Sequence, residues 1–198
     1  MFKKQMEKLT NALIKNGASK AENKEIIVYG LCSAIEIGFN IITTLVLGFL
    51  FGLVLEGIIF LISYAFLRTY VGGYHCEKAI NCYFMSCGII ALVLAAVEFT
   101  PGENTKLISI GILAISVPFI LKVAPVESTH KPLDSAERKY YRKKTIIHLM
   151  IECFTIIVLF LVGIYNVAYV ICLCIMITAL LVFFQMIQMF LKNNRNNS

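Results

Sequence analysis

The sequence predicts an all-α integral membrane protein with about six transmembrane helices and an amphipathic N-terminal helix at the membrane surface. The 198 residues are 59% hydrophobic, their mean hydropathy is +0.79, and only 15% are charged, compared with about 25% in soluble domains. The apolar residues form runs of roughly 17 to 24, the helix length that crosses a hydrocarbon core. Short segments of alternating polarity, typical of a barrel, are lacking. We therefore expect one membrane domain over residues 1–198.

The first element is the lysine-rich segment 1–24. Phe2, Met6, Leu9 and Leu13 recur at spacings of four, three and four, so they share one helical face while lysines occupy the others. This pattern predicts an interfacial helix on the anionic cytoplasmic leaflet. A solvated basic leader that only sets topology is the alternative. The segment lacks the apolar core of a cleavable signal peptide, so we expect it to be retained.

Six apolar runs predict a bundle over residues 26–190, followed by a polar tail over 191–198. The boundary between the first two runs is the least defined, because only a tight turn near Gly48 and Gly52 separates them. One bent segment is the alternative, and it would reverse the orientation of everything before it. The predicted spans are 26–47, 50–67, 83–99, 107–123, 145–164 and 167–190.

The distribution of basic residues favours six spans. With six crossings, every Lys and Arg except Lys106 falls on one side of the membrane. The positive-inside rule then places both termini and the 68–82 connection in the cytoplasm. Five spans would leave the N-terminal lysines outside. The basic stretch "HKPLDSAERKYYRKK" is typical of such a topology signal, and a docking surface for an acidic partner is the alternative.

The connection "RTYVGGYHCEKAINC", residues 68–82, concentrates reactive side chains. A cysteine nucleophile needs a nearby base, usually a histidine, and His75 is the histidine closest in sequence to cysteines. Cys76 is adjacent to it, but neighbouring side chains diverge on a helix or strand. Cys87 is expected more than a turn inside span three. Cys82 is expected at the start of that span, where the helix N-terminus favours a thiolate.

The spacing of His75 and Cys82 imposes a condition on the backbone. Seven residues of straight helix would separate them by about 10.5 Å along the axis, too far for a hydrogen bond. Gly72 and Gly73 make a bend inexpensive, since glycine accepts positive φ. We therefore predict that the helix is broken between residues 70 and 85. The alternative is an ordinary turn in which the histidine and cysteine are incidental.

The same stretch resembles the signature of the accessory gene regulator B (AgrB) family, membrane cysteine peptidases that process precursors of cyclic quorum-sensing peptides. The resemblance extends to the loop "APVESTHKPLDSAERKYYRKK" at 124–144 and covers most of the chain. It implies that His75 is the catalytic histidine and Cys82 the nucleophile. It also implies supporting roles for Arg68 and Gly73. A snorkelling anchor that ends span two is the alternative role for Arg68.

The resemblance implies an endopeptidase that removes the C-terminal tail of a propeptide and cyclises the remainder through a thioester on Cys82. The product would be a thiolactone or a lactone. The implied partners are an AgrD-like propeptide with a membrane-associated leader, the lipid bilayer and a second copy of the chain in a homodimer, with no nucleic acid and no cofactor. The implied location is the bacterial cell membrane. A small transporter without peptidase activity is the alternative function.

Two further observations concern metals and buried charges. No paired Cys-x-x-Cys and His-x-x-x-His spacing occurs, so we expect no metal site. Glu36, Glu56 and Glu152 lie inside predicted spans, where a carboxylate is costly. We expect each to have a buried partner or to border a polar cavity. Glu98 is expected only to mark the end of span three.

Overall fold

The computed structural model describes residues 10–11, 14, 24–73, 79–100, 102–127 and 133–196, and the regular structure within this part is entirely α-helical. The chain divides into two compact units, residues 1–43 and 44–198, which we describe separately. Within the described residues, six helices are long and apolar enough to cross a membrane. They are α1 (Lys24–Phe51), α2 (Val54–Val71), α3 (Ala79–Phe99), α4 (Gly102–Val123), α5 (Ser135–Val162) and α6 (Tyr165–Asn196).

The first unit contains the start of α1 and three described residues before it. Thr10, Asn11 and Ile14 are helical, whereas the rest of the predicted interfacial helix over 1–24 lies outside the described residues. In α1, Glu36 is half-buried, and the apolar side chains that follow it are largely exposed, as suits contact with lipid.

The second unit begins with a tight hairpin between the end of α1 and α2. The chain turns at Gly52, whose φ of 68° favours glycine, and the Leu53 N–H donates to the Gly48 carbonyl oxygen over 2.7 Å. A Cβ on Gly57 would lie 2.9 Å from the Thr44 Cγ2, so the two helices pack side by side. The prediction of two separate segments is confirmed, and the single bent segment is wrong.

Two observed helices differ in length from the predicted spans. α5 begins at Ser135 rather than at 145, because the basic stretch before the apolar run is itself helical. Its start is fixed by a capping box: the Glu137 N–H donates to the Asp134 carboxylate over 2.6 Å, and the Glu137 carboxylate accepts from the Asp134 N–H. α6 continues through most of the predicted polar tail, to Asn196.

α6 lies at the centre of the second unit. In its apolar window 72% of the residues are buried, compared with at most 22% in any other predicted span. One face of α6, including Cys172 and Ile175, packs in a cluster with Leu67 of α2, Ile120 of α4 and Leu149 of α5. Its other face packs in a second cluster with residues of α2 and α3. The helices α2, α3, α4 and α5 thus share α6 as their buried partner.

Successive helices of the second unit run in opposite directions, so their ends lie at two opposite ends of the bundle. The ends of α2 and α4 meet where the Val126 N–H donates to the Val71 carbonyl oxygen over 3.0 Å. At the opposite end of the bundle, the Lys106 Nζ lies 4.6 Å from the centroid of the Tyr165 ring, so α4 and α6 both begin at that end. The connection after α2 and the connection after α4 therefore share one end of the bundle, as six crossings require.

Candidate active site

Cys82 lies in the first turn of α3, because the helix begins at Ala79 rather than at the predicted residue 83. Its thiol is free and the residue is half-buried. This position agrees with the expectation that Cys82 stands at the start of span three. Cys87 lies five residues further along the same helix, about 7.5 Å deeper and on a different face.

Arg68 lies at the end of α2 and is held by Tyr64, one turn before it. Its Nη1 donates to the Tyr64 hydroxyl, and its guanidinium carbon lies 5.4 Å from the centroid of the Tyr64 ring. Tyr64 in turn stacks on Phe60, with ring centroids 5.5 Å apart. The pair thus fixes a guanidinium near the end of α2.

The two glycines after α2 end that helix abruptly. Gly72 and Gly73 have φ values of 80° and 139°, which L residues rarely adopt. A Cβ on Gly72 would lie 2.4 Å from the carbonyl oxygen of Val126, which is closer than real contacts allow. Gly73 is buried, and a Cβ there would lie 3.7 Å from the Cβ of Leu181 on α6. The backbone that leaves α2 is therefore closely packed at Gly72 and Gly73.

The segment 124–127, which presses on Gly72, is held in place from two helices. Arg142 of α5 donates to carbonyl oxygens at the end of α4 and at the start of the segment, over 3.3 and 3.4 Å. Arg138 forms a salt bridge with Glu127, and Gln185 of α6 donates to the Glu127 carbonyl oxygen over 3.3 Å. Two arginines of the basic stretch therefore support this loop, in addition to any role in topology.

The predicted catalytic histidine, His75, lies outside the described residues, as do Cys76 beside it and His130 in the second connection. The described backbone still bears on the spacing argument. α2 ends at Val71 and α3 begins at Ala79, so residues 70–85 do not form one straight helix. The condition that the seven-residue spacing imposes is met, and the pairing of His75 with Cys82 stays a prediction.

A polar pair between α2 and α5 was not predicted as such. The Ser63 Oγ donates to the Glu152 Oε1 over 2.5 Å, which confirms the expectation that Glu152 has a buried partner. At the same interface, His148 stacks on Tyr70 with ring centroids 4.8 Å apart. Because 89 residues separate Ser63 from Glu152, no local spacing could have indicated the pair.

The remaining glutamates and cysteines are placed as follows. Glu56 lies in the first turn of α2, where the helix N-terminus favours a carboxylate, and Glu98 is exposed one residue before α3 ends. Among the described residues, five cysteines have free thiols, and no three His, Cys, Asp or Glu side chains are grouped so that they could hold a metal ion.

Comparisons with known proteins agree with this architecture. The sequence profile described as accessory gene regulator B (AgrB) matches residues 6–189. A protein of Clostridium perfringens strain SM101 named AgrB-like is 32% identical over 152 residues, which cover 72% of this chain and 71% of that protein. A second AgrB-like protein, from C. perfringens strain 13, is 33% identical over 69% of this chain and 68% of its own length.

A more distant AgrB-like protein comes from Halalkalibacterium halodurans. It is 27% identical over 145 residues, which cover 71% of this chain and 68% of that protein. No solved structure matches the chain.

Proposed function

The chain belongs to the accessory gene regulator B family, which takes part in processing quorum-sensing peptides, and on that premise we propose that it is a membrane cysteine endopeptidase and peptide cyclase. Its substrate is an AgrD-like propeptide. The observation that supports this best is the position of Cys82, a free thiol in the first turn of α3, at the end of the bundle where α2 ends after Arg68. A free thiol at a helix N-terminus, with a guanidinium held at the same end of the bundle, suits acyl transfer, in which negative charge develops on oxygen.

The proposed reaction has two acyl transfers. His75 takes the proton of the Cys82 thiol, and the thiolate attacks the carbonyl carbon of the peptide bond that follows the future ring. The C–N bond breaks, the leaving amine takes the proton from His75, and the peptide stays on Cys82 as a thioester. A thiol of the peptide then gives its proton to His75 and attacks the thioester carbonyl carbon. The bond from that carbon to the Cys82 sulfur breaks, a thiolactone forms, and the Cys82 thiolate takes the proton back from His75. A serine hydroxyl at the same place in the peptide would form a lactone.

Arg68 and Gly73 have supporting roles in this proposal. Because Tyr64 holds the guanidinium of Arg68 through its hydroxyl and its ring, Arg68 is available to stabilise the oxyanion of either tetrahedral intermediate. Gly73 allows the chain to leave α2 at a φ of 139° while packed against α6. The turn therefore ends α2 before His75 in the sequence.

The position of the nucleophile also bears on the choice between cyclisation and hydrolysis. Exchange of one thioester for another is nearly balanced in free energy, so water must be kept from the acyl-enzyme. Cys82 is half-buried at the end of the bundle, at the boundary between membrane and water. We expect both termini and this end to face the cytoplasm, where a newly made propeptide meets the membrane.

The test is co-expression with a precursor encoded beside this protein, followed by mass spectrometry of the precursor. We expect Cys82→Ala and His75→Ala each to abolish cleavage, because the first removes the nucleophile and the second its base. Cys76→Ala and Cys87→Ala are the matched controls. Both remove a nearby thiol and should leave most of the cleavage.

Two results would contradict this assignment. Cleavage that survives Cys82→Ala but not Cys76→Ala would move the nucleophile to Cys76. Transport of a solute without cleavage of any precursor would favour the alternative function, a small transporter.

A further inference from the structure

A cavity of about 360 Å³ lies between α2 and α5, and Cys82 is not among the residues that line it. Its polar lining includes Ser63, His148, Glu152 and Thr155, and its remaining lining is aliphatic or aromatic. The Ser63–Glu152 hydrogen bond is part of this lining. Such a combination, an apolar pocket with a few convergent polar groups, is typical of a binding site.

The cavity opens on the outer surface of the second unit. Ile62, Phe66 and Ile151 line it and are 53, 55 and 55% exposed. Along α2 and α5, these exposed apolar residues are interspersed with the polar lining residues. The polar groups therefore lie deeper, at the base of an apolar rim. In a membrane this surface faces lipid, and an occupant would therefore enter from within the bilayer.

One buried carboxylate oxygen at the base of the cavity has no hydrogen-bond donor among the described residues. The Oε1 of Glu152 accepts from Ser63, whereas Oε2 is buried and receives no hydrogen bond from any residue that the structure describes. A carboxylate oxygen in this state is costly inside a membrane. An occupant with a cationic donor would remove that cost, because charge-assisted hydrogen bonds are the strong ones.

The depth of Glu152 restricts the kind of occupant. It lies eight residues along α5 from Lys144, the last cation of the basic stretch, which is about 12 Å towards the membrane centre. A lipid headgroup resides at the level of the cations and does not descend so far. A lysine or arginine on a membrane-embedded peptide can lie at that depth. Its long aliphatic stem packs on apolar groups while its charged end reaches a polar partner.

A second copy of the chain is a poor fit for the same cavity. A two-fold interface through this face would bring the same surface of each copy together, and the cavity lining contains Glu152 and His148 but no Lys or Arg. The two carboxylates would then share one dry interface without a cationic partner, which is unfavourable.

We propose that the cavity lined by Ser63, His148 and Glu152 binds a lysine or arginine side chain on a membrane-embedded segment of the peptide substrate. This proposal rests on the proposed function, which identifies the substrate. It gives the enzyme a second contact with that substrate, in addition to the one at Cys82. Glu152 accepts from the cationic group, Ser63 fixes the carboxylate, and the apolar rim packs on the peptide around the cation. The contact would hold the substrate in the membrane while its cleavage site reaches Cys82.

The test uses the full-length Cys82→Ser protein in liposomes, so that binding is measured without cleavage. The probe is a leucine-rich helical peptide of about 20 residues with one lysine about 12 Å from its cytoplasmic end. The control peptide has norleucine in place of lysine. We expect the lysine peptide to bind at least about tenfold more tightly, by fluorescence energy transfer. Glu152→Gln should remove that preference, and Glu56→Gln, which changes a carboxylate outside the cavity, should preserve it.

A second pair of measurements keeps the proposal falsifiable if Glu152→Gln folds poorly. Thr155→Leu fills the cavity without changing the carboxylate, and it should weaken binding of both peptides. A photoreactive amino acid at Ile62 should cross-link to the lysine peptide. Adducts to a second copy, to residues 1–23 of the same chain or to lipid alone would overturn the proposal, as would equal binding of the two peptides.

The two proposals fail separately. Loss of the lysine preference with normal precursor cleavage by the Cys82 protein would reject the cavity site only. A persistent lysine preference in a protein that cleaves no precursor would reject the peptidase only.

Discussion

Gly72 shows how one missing side chain fixes the geometry around the candidate nucleophile. Its φ of 80° and the position of the Val126 carbonyl oxygen, 2.4 Å from where a Cβ would lie, exclude other residues on two independent grounds. The carbonyl oxygen belongs to a segment that Arg138 and Arg142 hold, so it has little freedom to move. Gly72 is therefore held by close packing against the Val126 carbonyl where α2 ends.

We predict that Gly72→Ala destabilises the protein by about 2 kcal/mol, from backbone strain and displacement of the 124–127 segment. Cleavage of the precursor should fall as well, because the connection to Cys82 shifts. The measurements are thermal unfolding in detergent and precursor mass. Gly88→Ala is the control, since a Cβ there meets nothing within 4 Å and should be neutral or stabilising. Identical behaviour of the two variants would contradict the prediction.

Tyr64 is a residue whose role was visible in the sequence only in part. Its spacing of four from Arg68 places the two on one helical face, which indicates that they can pair. The sequence does not show whether the pair forms, because that depends on the rotamers of both side chains. The structure shows that it does, which gives Arg68 a fixed position near the end of α2.

At the scale of helices, the α1–α2 hairpin depends on a close contact between Gly57 and Thr44. The Thr44 Cγ2 occupies the space that a side chain at residue 57 would need. A glycine in an interfacial position of this kind lets two membrane helices approach closely and gain van der Waals contact. The contact explains why α2 tolerates a glycine within its first turns despite the cost to helix stability.

We predict that Gly57→Ala lowers the free energy of unfolding by about 1 to 3 kcal/mol, since the added Cβ overpacks the hairpin. Thr44→Ser in the same protein should restore most of the loss, because serine lacks Cγ2 and keeps the hydroxyl. The measurement is thermal unfolding of the three variants in detergent. A double variant as unstable as Gly57→Ala alone would show that the contact is not the cause.

The helices themselves were largely predictable, whereas their partners were not. Length and hydropathy alone indicate six crossings, and the Asp134–Glu137 capping box could have placed the start of α5 correctly. The Ser63–Glu152 pair and the cavity depend on which faces of α2 and α5 meet. His148, Glu152 and Thr155 recur at spacings of four and three along one face of α5. The sequence does not show that Ser63 of α2 meets this face, because the two helices are far apart in the chain.

For the molecule as a whole, the distribution of basic residues agrees with the alternating direction of the helices in the second unit. The structure places the connections after α2 and α4 at one end, and Lys106 with Tyr165 at the other. Among the described residues of the second unit, every Lys and Arg except Lys106 lies on a helix segment at the first end, which the positive-inside rule assigns to the cytoplasm. Cys82 is at that same end, which is where a propeptide would be met before export.

We predict the corresponding labelling pattern for cysteines introduced at two exposed positions in a variant without native cysteines. In intact cells, a membrane-impermeant maleimide should label Asn104→Cys, at the outer end of α4. It should label Ser135→Cys, at the start of α5, only after the cells are lysed, because basic flanks stay inside. The reverse pattern would place Cys82 outside the cell and contradict the orientation.

The central position of α6 has a consequence for the order of assembly. α6 is the last of the six described helices to be synthesised, yet it is the helix on which α2, α3, α4 and α5 pack. Those helices therefore enter the bilayer before their common partner exists, and their small and polar buried groups meet lipid or one another in the meantime. The bundle closes around α6, so the buried clusters that join α2, α3, α4 and α5 are completed only after α6 is synthesised.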